Sequence, residues 1–111
     1  MDLKQSHCLL AAVCVAVALG AGPAAAAPSE AQALVLANCQ QCHEVKGIPD
    51  FGNVAPSLVD LKTRYPDRKD VTAIIEDETK RNPQTVMPPF GRNLILTRQQ
   101  IETIVDYLYN Q

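Results

Sequence analysis

The chain has 111 residues, with 10 Lys and Arg against 12 Asp and Glu and a formal charge of −2. That length gives room for one domain, and that balance excludes the basic surface a nucleic-acid binder needs. Four Cys, two His, two Met and no Trp leave so few ligand or nucleophile side chains that their positions decide which chemistry is open.

The N-terminal stretch carries Lys4, offset by Asp2, then an apolar run from Cys8 to Leu19 and small residues from Gly20 to Ala27 with an Ala-x-Ala pattern. Residues 1–26 therefore read as a secretory signal peptide cut after Ala26, since a cut after Ala27 would leave Pro28 directly behind it. An uncleaved membrane anchor is the alternative, but the apolar run is short against the ~20 residues a bilayer span needs. Val13 precedes Cys14 where a lipoprotein signal needs a small residue. The expectation is a periplasmic mature chain, residues 27–111, with no membrane span and no basic amphipathic helix for a membrane surface. Removing residues 1–26 takes away Met1, His7, Cys8 and Cys14, so Cys39, Cys42, His43 and Met87 are its whole stock of Cys, His and Met.

Ser29-Glu30-Ala31-Gln32 has the form of a capping box and opens a helix over residues 30–38, with Ala31, Leu34, Val35 and Asn38 along one face. It runs into Cys39-Gln40-Gln41-Cys42-His43, the attachment pattern of a c-type haem. On a helical turn, positions i and i+3 share a face, so both thiols can reach one edge of a haem, and His43 at i+4 can reach the iron. Cys39 and Cys42 would then hold one covalent haem, with His43 as proximal ligand. Three other readings compete: a redox dithiol, half of a zinc site, and a strained local disulfide. Zinc needs about four ligands, which residues 27–111 do not supply, and a redox dithiol wants a βαβ context that is missing. A domain this small also needs a staple, which a large planar cofactor supplies along with bulk for a core holding only Phe51, Tyr65, Phe90, Tyr107 and Tyr109 as aromatics.

Beyond the motif, Gly47, Pro49, Gly52 and Pro56 break regular structure. Ser57 can cap a helix through Tyr65 with Leu58 and Leu61 inward, ended by Pro66. Asp67 or Asp70 opens another helix with Val71, Ile74 and Ile75 at helical spacing, closed at Asn82-Pro83. Thr97-Arg98-Gln99-Gln100 is a second capping box. It starts a terminal helix with Ile101, Ile104, Val105 and Leu108 at i, i+3, i+4, i+7. No segment alternates with period two, so the fold class is all-α.

Met87 precedes Pro88 and Pro89, which places it on a stiffened loop. There it is the candidate for the sixth iron ligand. A methionine filling a core gap is the ordinary alternative, in which case a lysine, water or an external ligand takes that position. His43 also needs an acceptor for its other ring nitrogen. The Pro56 carbonyl is the candidate, unless Pro56 serves only to break the loop.

This plan resembles the class I cytochrome c family: an N-terminal helix, Cys39-x-x-Cys42-His43, a loop with Pro56, a Met87-Pro88 loop, and Tyr107-Leu108 in the terminal helix. The resemblance implies a small helical domain wrapped around one haem, with the first and last helices crossing beside it. Ala31 and Val35 stand where that family often has glycine and an aromatic. A closer resemblance runs through Gly52-Asn53-Val54-Ala55-Pro56-Ser57-Leu58, Arg64-Tyr65-Pro66, Thr85-Val86-Met87-Pro88-Pro89-Phe90-Gly91, Leu96-Thr97 and Ile104-Val105-Asp106-Tyr107-Leu108-Tyr109. These blocks look like the SoxX family of small mono-haem subunits of the thiosulfate-oxidising SoxAX cytochromes, with Ala55 where glycine is expected. The resemblance implies a heterodimer with a SoxA-like haem subunit, which joins thiosulfate to a carrier-protein cysteine. This chain would pass the released electrons to a downstream acceptor cytochrome, without catalytic residues of its own. A stand-alone periplasmic mono-haem carrier is the alternative, and a sensor with a readily opened sixth site is a third class.

Overall fold

The computed structural model describes residues 26–111, so the expected signal peptide, all but its last residue, lies outside the described residues. Four helices follow in order: α1 (Glu30–Asn38), α2 (Leu61–Arg64), α3 (Arg68–Asp77) and α4 (Arg98–Tyr109), with a 3-10 turn over Glu78–Lys80 after α3. There is no strand among the described residues, and the fold is all-α as expected. No helix among them is long and apolar enough to cross a membrane.

The core is organised by α4. Its capping box is complete: the Gln100 amide donates to Thr97 Oγ1 at 3.2 Å, and the Thr97 amide donates to Gln100 Oε1 at 2.9 Å. The expected stripe of Ile101, Ile104, Val105 and Leu108 is buried, together with Tyr109. Against it lies α1, whose Val35 has no exposed surface. Burying that one side chain contributes roughly 1.5–3 kcal/mol. Leu34 and Leu36 flank it, partly covered. At the start of α1 only the Ser29 half of the expected box forms, with the Gln32 amide donating to Ser29 Oγ at 3.2 Å.

Helix α3 is capped by Asp67, which accepts from the Lys69 amide at 2.9 Å, and buries Val71 and Ile75 against α4. On the outside of this pair Arg68 bridges Asp106 and, at 3.6 Å, Glu102, an exposed pairing of small net worth. The last turn of α4 is tied down by the Tyr109 hydroxyl, which donates to the Tyr65 carbonyl at 2.6 Å.

Two expected elements differ. The helix expected from Ser57 to Tyr65 is a single turn, α2. Ser57 Oγ accepts from the Val59 amide at 3.1 Å and turns the chain locally. Asp60 then adopts a left-handed conformation (φ 57°), which no α-helix can pass through. Helix α3 also ends sooner than Asn82-Pro83. Asp77 switches to an extended conformation (φ −166°, ψ 87°), and its carboxylate caps the following 3-10 turn.

Candidate haem site

Cys39 closes α1, its amide donating to the Val35 carbonyl at 2.8 Å. The next turn is held by the Cys39 carbonyl, which accepts from the amides of Cys42 (3.1 Å) and His43 (3.0 Å). Both thiols and the imidazole are thus carried on one turn at the end of a helix. The cysteines are not disulfide-bonded. Burial, with Cys42 adding to it, pushes the Cys39 thiol up to about 11. A redox dithiol needs the opposite, a thiol made acidic by a helix N-terminus or a nearby cation; here the cysteine sits at the negative end of α1. Among the described residues no group of three or more His, Cys, Asp or Glu could hold a metal ion.

The ring of His43 is oriented by the loop that follows. Its Nδ1 lies 2.6 Å from the Pro56 carbonyl oxygen. A carbonyl can only accept, so Nδ1 is the protonated nitrogen, and in the neutral ring this leaves Nε2 with the lone pair a proximal ligand needs. This loop is fastened to the motif backbone along its length. The Gly52 amide donates to the Gln40 carbonyl at 2.8 Å, the Ala55 amide to the Cys42 carbonyl at 3.1 Å, and the Leu58 amide to the Glu44 carbonyl at 2.8 Å. Gln40 returns the contact, its side-chain amide donating to the carbonyls of Pro49 (3.0 Å) and Asp50 (3.1 Å). Gly52 is obligatory here, because a Cβ at that position would fall 1.8 Å from the Gln41 carbonyl oxygen and 2.9 Å from Cys42 Cα. The close approach that requires Gly52, and the role of Gln40, have no signal in the sequence pattern.

Met87 is half-buried and packs against the core. Its amide donates to Thr85 Oγ1 at 3.1 Å, and Asn82 turns the chain just before, accepting from Gln84 and Thr85. On the far side the loop is anchored by buried Phe90. Gly91 comes so close to α3 that a Cβ would lie 3.1 Å from Glu76 Cα and 3.2 Å from Ile101 Cδ1. The amides of Gly91 and Arg92 both donate to the Glu76 carbonyl. Arg92 Nη1 reaches Asp77 Oδ2 at 3.0 Å and Thr79 Oγ1 at 3.0 Å. Asp77, only 4% exposed, also accepts from the Thr79 amide and hydroxyl. Hydrogen bonding from Thr79, helped by the nearby Arg92 charge, holds this carboxyl below its usual value despite its burial. No local pattern in the chain signals the Asp77–Arg92 pairing, which joins positions 15 residues apart.

The donor set fits a c-type haem: two thiols on one turn, an imidazole with its outer nitrogen committed, and a thioether on a stiff loop. Leu58, Tyr65 and Met87 are packed against the core yet only partly covered. Two clefts of about 390 and 400 Å³ on the outer face of α3 and α4 include none of the four candidate haem residues in their linings.

The family model described as cytochrome C oxidase, cbb3-type, subunit III matches residues 26–108, nearly all of the described structure. The chain belongs to this family. It is a class I-like c-type cytochrome domain, and such a domain binds haem c covalently and transfers electrons. Comparison with curated proteins gives no match. Within this cytochrome domain the Cys39–His43 turn is where the attachment pattern stands, and the Pro56 loop is bonded to it.

Proposed function

We propose that this cytochrome is the electron-relaying subunit of a periplasmic complex that oxidises thiosulfate, a SoxX-like partner to a SoxA-like haem protein. Cys39 and Cys42 attach one haem, and His43 and Met87 bind its iron; when bound, the haem takes up and gives back one electron at a time. The observation that carries the reading is the block Thr85-Val86-Met87-Pro88-Pro89-Phe90-Gly91, whose positions around Met87 have structural tasks. Thr85 fixes the Met87 amide, the two prolines stiffen the loop, Phe90 is buried and Gly91 allows close approach to α3.

The chain's own residues also define what it leaves to a partner. Joining thiosulfate to a cysteine makes one S–S bond, releases the thiol proton and liberates two electrons. That reaction needs a free thiol or persulfide, and residues 27–111 have only the two cysteines of the haem motif. The partner therefore performs the sulfur chemistry, and this chain passes electrons on singly to an acceptor cytochrome. Cys42 is exposed, as are Val54 (73%), in the loop bonded to the Cys42 carbonyl, and Val86 (89%), beside Met87. Apolar side chains open to solvent next to the haem residues suit a docking partner.

A stand-alone carrier is the second reading, since the family match supports a haem electron-transfer domain and no particular complex. Pull-down from periplasm with haem staining separates the two. Co-purification of a second haem protein, with thiosulfate-dependent reduction of this chain's haem, supports the complex. No such partner, or conjugation of thiosulfate by this chain alone, overturns it.

A further inference from the structure

Asp77 is a buried carboxylate that neither attaches the haem nor binds the iron. Such a charge is tolerated only where its partners are fixed, and here they are Thr79 on Oδ1 and Arg92 on Oδ2. Arg92 comes from the loop that carries Met87. Between the two stand Pro88 and Pro89, with restricted backbones, buried Phe90, and Gly91 pressed against Glu76 and Ile101. This stretch has little slack, so the position of Arg92 is transmitted to Met87. On the other side of Met87 the loop is held by the Asn82 turn and by Thr85.

Resting on the reading of Met87 as sixth ligand, we propose that Asp77, Thr79 and Arg92 form a latch that holds the Met87 thioether on the iron. The three are positioning residues. They set how rarely the thioether leaves, and hence how well the domain excludes small external ligands and keeps to electron transfer.

The test uses the haem-loaded mature protein and follows two signals. One is the weak long-wavelength absorption band of ferric iron bound to a thioether; the other is the rate at which imidazole replaces that ligand, by stopped flow. Asp77→Asn and Arg92→Gln are expected to raise the replacement rate about tenfold or more, the effect of losing a charge-assisted hydrogen bond, while Arg92→Lys restores part of the difference. Arg92 is half-exposed, so its variants report even if Asp77→Asn fails to fold. Arg68→Gln breaks the pairing of α3 with Glu102 and Asp106 of α4, and is expected to leave the rate unchanged. Unchanged rates in folded Arg92→Gln, or equal acceleration by Arg68→Gln, overturn the latch while the ligand assignment stands. A wild-type band that survives Met87→Ala overturns the assignment and the latch together.

Discussion

The Nδ1 of His43 and the carbonyl oxygen of Pro56, thirteen residues apart in the chain, lie 2.6 Å from each other. That contact fixes ring orientation and tautomer at once. It also explains why the intervening loop is bonded at several points to the backbone of the turn. A loose loop would let the carbonyl drift and the imidazole rotate.

Covalent attachment is the first expectation. The mature protein should keep its haem through denaturation and acid-acetone extraction, and Cys39→Ala with Cys42→Ala should lose it. Complete loss of haem from the wild-type polypeptide in that extraction would contradict attachment.

Ligation by Met87 predicts that Met87→Ala abolishes the thioether-to-iron band and lowers the reduction potential, because a thioether ligand raises it. Redox titration monitored optically checks both. An unchanged potential would assign the sixth position elsewhere.

Gly52→Ala should destabilise the fold by about 2–4 kcal/mol, since the added methyl meets backbone rather than a movable side chain. Denaturant unfolding measures this. Gly47→Ala is a useful contrast: Gly47 has a positive φ of 74°, but its Cβ would meet nothing within 4 Å, so the cost there is about 1 kcal/mol of backbone strain.

Asp77 predicts an acid-sensitive stability. Its folded-state pKa is depressed, first by Thr79 and then by Arg92. The stabilisation is therefore fully present above the ordinary carboxylate value and is lost as pH falls through the lowered folded value. Thermal unfolding followed below about pH 4 should show a shallower pH dependence in Asp77→Asn than in wild type. Parallel curves would mean that the carboxylate does not contribute through its charge.

The parts legible in sequence are those with local signatures. Thr97 and Gln100 announce α4, and its four-residue stripe is the buried face. The Cys39–His43 spacing announces the haem turn. What escaped depends on contacts between segments without periodic pattern: Gln40 against Pro49 and Asp50, Gly52 against Gln41, and Arg92 against Asp77. The short α2 escaped for a different reason. Ser57 is a good helix cap by composition, yet its hydroxyl closes a tighter turn and Asp60 takes a left-handed conformation, a choice between near-equal local options that tertiary packing decides.

The packing of α1 on α4 has a temporal side. Val35 is enclosed against a helix that begins at Arg98, so its partners are made only after all of the intervening chain. Until α4 has been made, the first helix has no surface on which to settle, and closing so long a segment costs entropy before any contact repays it. The growing polypeptide stays open for that whole interval, with Cys39 and Cys42 reachable beside an undocked helix. Any step that needs an unfolded chain, whether threading through a pore or fitting a cofactor to two thiols, falls naturally before the final turn of α4 shuts the molecule.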